Sequence, residues 1–345
     1  MRIRSLALAT TAALLVAACG GGASGPSAAP ATGAAAAATA TAAPAPSYPT
    51  KAIDIMAPAG PGGGFDTTAR LIQKALVDEK LVNVTVSVSN KPGAGGVTGM
   101  GELINNAKGD PYRLIVIGRV TLGAQITGKT AAKVSQITPI ARLMAETEVI
   151  VTPKDSPFKT LKDLMAALKT DPKAVKFAGG SAGGIDHELA ARLVKAAGGD
   201  VKNLAYVPFA GGGEAAAAIL GGQVQVGISG FGEFKGHIDG GQMKALAVSS
   251  DAPLAAASAI PTIKSQGYDV VVVNWRLLAA PPSISASDLT ALKALATKVH
   301  ASKTWQDFAK KNDWFDNFTT DGLAGFLADD EKAATATLTD LGLVK

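Results

Sequence analysis

The stretch from Ile53 to Leu76, IDIMAPAGPGGGFDTTARLIQKAL, limits what this chain can fold into more than any other. Ile53, Ile55 and Ala57 alternate with their neighbours, which is the period of a half-buried strand. A glycine turn follows. Asp66 and Thr67 then suit a helix start, and Leu71, Ile72, Ala75 and Leu76 share one helical face. A strand that runs through glycines into a helix N-terminus leaves backbone N–H groups unpaired at the positive end of the helix dipole. That geometry binds anions.

The same grammar recurs in VKFAGGSAGGIDHELAARLV (175–194), in LAYVPFAGGGEAAAAIL (204–220), more loosely in VQVGISGFGEFKGHI (224–238), and with a longer turn in VSVSNKPGAGGVTGMGELI (86–104). Several such turns facing one crevice would make a pocket lined by backbone donors. Strands alternate with helices from Tyr48 onward, which predicts an α/β fold with mainly parallel sheets. Short strands are expected at 82–88, 112–117, 149–151, 246–250 and 271–282. Helices are expected at 102–107, 155–170 with a Thr160 cap and Asp163 answering it, 287–300, 301–312 and 325–343. Boundaries near Glu146 and Ser249 divide the chain into a first lobe (48–146 and 249–345, with the C-terminal helix) and an inserted second lobe (147–248), with the ligand cleft between them.

The N-terminus reads as targeting. Arg2 and Arg4 precede an apolar run, Leu6 to Ala17, too short to span a bilayer. The run ends in Val16-Ala17-Ala18-Cys19, and the chain's single cysteine stands where a bacterial lipobox needs it. Residues 1–18 are expected to be a lipoprotein signal peptide with Cys19 the lipid attachment site; an ordinary secretory signal with a chance cysteine is the alternative. Residues 19–47 are Ala, Gly, Pro, Ser and Thr after Cys19 and read as a flexible tether. The expected localisation is therefore outside the cytoplasmic membrane, lipid-anchored at the cell envelope.

Composition excludes several functions. With one Cys and three His (His187, His237, His300), no zinc site of the usual spacing can be built. The formal charge of +5 is spread along the chain with no basic–aromatic stripe for nucleic acid. From Tyr48 onward neither G-x-G-x-x-G nor a P-loop occurs, so no nucleotide cofactor is expected. GGSAG (179–183) matches G-x-S-x-G between a strand and a helix, which makes Ser181 a candidate nucleophile of a secreted serine hydrolase. Against this, His187 follows too closely and no HGGG-type oxyanion segment is present. Asp66 and Glu214, each after three glycines, are either helix caps or ligand contacts. Arg119 and Arg276 are candidate cleft cations whose commoner fate is a solvated or ion-paired surface position.

Taken in order, YPTKAIDIMAPAGPGGGFD, NKPGAGGVTGM, DSPFKTLKDLM, GGSAGGIDHELAARL, YVPFAGGGEAAAAILGGQVQVGIS, IPTIKSQGYD and NWRLLAAPP resemble the substrate-binding proteins of tripartite tricarboxylate transporters, the TctC-like or Bug family. The resemblance covers nearly the whole chain from Tyr48. It implies a two-lobed periplasmic-binding-protein fold of type II that closes on its ligand, no enzymatic activity and no cofactor. It also implies, as partners, a small organic acid and a membrane permease driven by an ion gradient. The family's ligand loops fall on Gly62, Gly63, Gly64, Phe65, Asp66 and Thr67; on Ser181, Ala182, Gly183 and Gly184 with His187 beyond; and on Gly211, Gly212, Gly213 and Glu214. The GGGFD and GGGE wording is more similar to the members that take tricarboxylates than to those for other carboxylates, and the expected ligand is a di- or tricarboxylate such as citrate. Monomer is the expected state. A sensory role, passing the signal of a bound acid to a membrane kinase, is a further alternative.

Overall fold

The structure, a computed structural model, describes residues 48–344. The leader, Cys19 and the tether lie outside the described residues. From Ile53 the elements run β1 (Ile53–Ala57), α1 (Gly64–Asp78), β2 (Val86–Asn90), α2 (Val97–Asn106), β3 (Arg113–Gly118), α3 (Arg119–Thr127), β4 (Thr138–Pro153), α4 (Leu161–Thr170), β5 (Lys176–Gly179) and α5 (Ile185–Ala196). They continue with β6 (Ala205–Pro208), α6 (Gly212–Leu220), β7 (Val226–Gly230), α7 (Phe231–Asp239), β8 (Met243–Val248), β9 (Val273–Ala280), α8 (Ala286–Ala301), α9 (Lys303–Lys311) and α10 (Leu323–Asp340).

The strands form two packed halves that share β4. In the first, the order is β2-β1-β3-β9-β4; in the second, β4 continues into β7, β5 and β6, with β8 on its other edge. The expected parallel pairing holds in the outer parts, β1 with β2 and β3, and β5 with β6 and β7. Pairs that involve β4 or β9 run antiparallel. These strands carry the chain from one lobe to the other, so no crossover helix sets their direction.

Strand β4 is far longer than the 149–151 segment its sequence suggested. Arg142, Glu146 and Glu148 interrupt its apolar pattern, yet Glu146 and Glu148 are fully buried, so tertiary pairing overrides composition. Up to Thr147 the strand pairs with β9; from Glu148 it pairs with β7 and β8. Ser249, just past β8, ties this crossing point together. Its hydroxyl donates to Val272 O at 2.6 Å, accepts from Glu148 N at 3.0 Å and lies 3.1 Å from Thr147 Oγ1. One side chain thus joins both strands that cross between the lobes.

Each lobe has an apolar cluster on either face of its sheet. In the first lobe, α1, α8 and α9 cover one face, with Ile55, Leu76, Val116, Leu292 and Trp305 in the core, while α2, α3 and α10 cover the other around Met100, Ile115 and Leu338. In the second lobe, α4 and α5 cover one face around Leu164, Phe177 and Leu189, and α6 and α7 cover the other around Ile219 and Phe234. The α4 start follows its sequence signal. Thr160 Oγ1 accepts from Asp163 N, and Asp163 Oδ2 accepts from Thr160 N at 2.9 Å. No helix among the described residues is long and apolar enough to cross a membrane.

Candidate functional site in the interlobe cleft

Three of the glycine loops are built to one plan. In each, the residue just before the helix N-cap donates its backbone N–H to the side chain of the third helical residue. Gly62 N donates to Asp66 Oδ2 at 2.9 Å, Gly183 N to His187 Nδ1 at 3.0 Å, and Ala210 N to Glu214 Oε2 at 3.1 Å. The side chain closes the loop on itself, a variant of the capping-box logic. It holds the remaining first-turn N–H groups of α1, α5 and α6 in place without using them. Gly62 and Gly183 both have φ +80°, a backbone angle that demands glycine one residue before the cap.

The plan shows Asp66 and Glu214 making the loop-closing bonds that the capping alternative expects. Asp66 also accepts from Arg70 Nε and Asn90 Nδ2, both at 2.9 Å. Burial would raise its pKa, but these bonds and the Gly62 N–H outweigh it and hold the carboxylate below its usual range. His187 accepts at Nδ1, stacks on Tyr206 with ring centroids 4.3 Å apart, and is pushed down by burial to a pKa of about 4. It is a neutral loop brace.

The loops meet across the cleft. Gly60 N donates to Ala210 O at 3.4 Å, and a Cβ placed on Gly211 would lie 3.2 Å from Gly63 Cα. The cavity between them has a volume of about 50 Å³, room for a few waters. Of the expected ligand residues, Gly64, Phe65, Ser181, Gly211 and Gly212 line it. Ala182, Gly183 and His187, with Ser181 again, line an adjoining hollow of about 720 Å³ bounded also by Phe209 and Leu343. Gly62, Gly63, Asp66, Thr67, Gly184, Gly213 and Glu214 line neither hollow; they shape the loops from behind.

The cavity also holds residues outside the expected ligand loops, among them Arg276, one of the two candidate cleft cations. Arg276 is buried, not a surface cation: its guanidinium contacts Glu146 through Nη2, donates to Thr68 Oγ1 at 2.9 Å and stands 3.5 Å from Glu233 Oε1. It sits against the α1 N-terminus so closely that a Cβ on Gly64 would fall 1.9 Å from Nη2. Arg119 is likewise buried, bonded to Glu188 at 2.8 Å from the other lobe. Asp186 and Glu233 line the cavity, with Glu148 and Glu146 behind them. Burial is the main cause that raises the pKa of each: Asp186 to about 6, Glu233 to about 8, and Glu148 well above the usual carboxylate range. A signal for this cluster exists in the sequence. Glu146 and Glu148 stand two apart in an apolar strand, hence on one face, and Arg276 interrupts the apolar run NWRLLAA.

The hydrolase alternative gains no support from this geometry. His187 Nδ1 is occupied by the Gly183 N–H, His237 pairs with Gln242 and His300 with Asp316, and no hydrogen bond joins Ser181 to a histidine among the described residues. Among those residues, no group of three or more His, Cys, Asp or Glu is placed to hold a metal ion.

The lobes touch through Gly183, whose added Cβ would lie 1.8 Å from Thr127 Oγ1 on α3. Gly183→Ala is therefore expected to hold the lobes apart. Small-angle scattering should read a larger radius of gyration than for the unaltered protein, and an unchanged radius would sink this account of closure.

The comparisons with known proteins agree with this architecture. A family model described as "Tripartite tricarboxylate transporter family receptor" matches residues 68–343. Protein BugT of Bordetella pertussis is 28% identical over 292 residues, 83% of this chain and 88% of that protein. The periplasmic binding protein BugD superposes with TM-score 0.79 at 22% identity, covering 86% of this chain and 100% of that one. MatC from Rhodopseudomonas palustris with bound malate superposes with TM-score 0.76 at 20% identity, covering 84% and 100%. With paired lobes, a shared cleft and a family match over most of its length, the chain belongs to the TctC family of tripartite tricarboxylate transporter receptors.

Proposed function

We propose that the protein is an extracytoplasmic solute receptor whose lobes, 48–146 with 249–345 and 147–248, close on a small organic acid and deliver it to an ion-gradient-driven permease. The observation that carries this reading is the meeting of α1 and α6 across the cleft: their N-termini, at Gly64 and Gly212, line one cavity. The free N–H groups of the two first turns would divide a carboxylate's oxygens between the lobes. Each charge-assisted bond contributes about 1.5–3 kcal/mol. Only the closed state satisfies both sets, so binding and closure are one event. The bound malate of MatC supports a carboxylate as the class of ligand. Within that class the sequence expectation is a di- or tricarboxylate of the citrate kind.

Calorimetry of protein unfolded and refolded to strip carried-over ligand, against a panel of mono-, di- and tricarboxylates, tests this. At least one acid is expected to bind with micromolar or tighter affinity. No heat from any carboxylate would remove the basis of the reading.

We also propose that Cys19 carries lipid and that residues 19–47 tether the body to the membrane. Cys19→Ala is expected to move the protein from the membrane fraction to the soluble fraction of cells. Equal partitioning of both forms would count against an anchor.

A further inference from the structure

Helix α5 turns a charged stripe toward the other lobe. Glu188, Arg192 and Lys195 fall at i, i+4 and i+7, one above the other, while Leu189, Leu193 and Val194 face the core of their own lobe. The first lobe meets that stripe with α3 and α10. Arg119 Nη2, at the start of α3, donates to Glu188 Oε2 at 2.8 Å, and Lys195 Nζ stands 2.5 Å from Asp340 Oδ2 at the end of α10. The first pair is buried, its side chains 7% and 2% exposed, and the second is exposed. Neither Arg119 nor Glu188 lines the cleft cavity or the adjoining hollow.

Each member of the buried pair also has an opposite charge on its own side. Glu188 Oε1 accepts from Arg192 Nε at 3.0 Å and from its Nη2 at 2.7 Å, within α5. Arg119 Nε stands 3.5 Å from Asp330 Oδ2, which accepts from Trp275 Nε1 at 2.9 Å, all within the first lobe. When the lobes part, Glu188 keeps Arg192, Arg119 keeps Asp330, and water reaches both. Val120, beside Arg119, packs against the apolar clusters of both lobes and supplies the apolar part of the seam. A wholly apolar seam would resist opening in proportion to its area. A charged seam is hydrated when it opens, and the desolvation of its charges on closing offsets much of their new attraction. Such a pair leaves the open and closed states near in free energy, so that a modest binding energy moves the population.

We infer, resting on the closure that the receptor reading requires, that Arg119 and Glu188 are positioning residues: an interlobe latch that makes its bond only in the closed state and sets how firmly an acid is held without touching it. Removing one partner strands the other as a buried charge on closing, which opposes closure. Replacing both by apolar side chains removes the desolvation cost and favours closure. A pair that only supported the fold would change the unfolding midpoint and leave closure as it was.

The test reads closure directly. Spin labels at Lys129→Cys and Val207→Cys, exposed positions on the first and second lobe, are placed in a Cys19→Ala chain stripped of carried-over ligand. Double electron–electron resonance follows the distance between them during titration with acetate, succinate, malate and citrate in turn. At least one acid is expected to shorten the distance. Glu188→Gln should start from a longer distance or need about tenfold more of that acid to reach its midpoint. Its urea midpoint should stay near the parent's, because opening returns Arg119 to water. Arg119→Met with Glu188→Leu should close at the parent's midpoint or below it. Should Glu188→Gln fail to fold, Arg119→Gln serves as the second variant. The latch is overturned if Glu188→Gln shares both the starting distance and the acid midpoint of the parent, or if the double variant opposes closure as much as the single one. Distances that answer to no carboxylate, in these or in the wider calorimetric panel, overturn the receptor reading itself.

Discussion

Arg276→Met is expected to cost about 3–5 kcal/mol of folding stability, because it strands a buried carboxylate. The guanidinium is 2% exposed and contacts Glu146, itself 2% exposed, so no water replaces the lost partner. Methionine fills much of the same volume, so the loss reports on charge more than on a cavity. The signature is in the double variant. Arg276→Met with Glu146→Gln should recover part of the stability, since replacing both partners removes the unpaired charge. Urea unfolding of the four species closes the cycle. A single variant within about 0.5 kcal/mol of the parent would show that Arg276 does not hold the acidic cluster together.

The second large effect is on pH. Glu233 has a folded pKa raised to about 8 from an ordinary 4.5, so the folded state keeps a proton that the unfolded chain gives up. Stability from this group is fully present below about 4.5 and is lost as pH rises through 8. Asp186 acts in the same direction up to about 6. His187 acts in the opposite direction, because its pKa falls from 6.5 to about 4 and it adds stability as pH rises across that interval. Above pH 6.5 the histidine no longer contributes a slope, and the raised carboxyls dominate. Through Glu233 alone the protein is therefore expected to lose about 2 kcal/mol between pH 6.5 and 8.5, at about 1.4 kcal/mol per unit for each site that ionises. Glu233→Gln should remove its own share of that slope and leave the share of Glu148, which burial raises in the same direction. Denaturant midpoints that are constant, or that rise, over this interval would mean that Glu233 is ionised in the fold at neutral pH.

The cleft's two kinds of feature differ in how far apart their parts lie in the chain. The loop of Gly62 and Asp66, that of Gly183 and His187, and that of Ala210 and Glu214 each close over four residues. Their chemistry is local, so glycine runs followed by a capping side chain announce them. Even there, the direction of the side chain was not legible. Asp66 and Glu214 read equally well as ligand contacts, and only the coordinates turn them back into their own loops. Glu233 occupies the same slot in α7, yet a serine before its cap frees it to face the cavity.

Strand–turn–helix alternation, the α/β class and the order of the glycine loops were therefore determined by the sequence alone, since each rests on periodicity and turn chemistry within some twenty residues. The length of β4, the antiparallel pairing around it and the acidic floor of the cleft were decided only by the tertiary structure. Arg276 and Glu146 are 130 positions apart and meet because β9 pairs with β4. Charged residues in an apolar strand look like surface positions until both faces of that strand are covered, and covering them is the work of helices from distant parts of the chain.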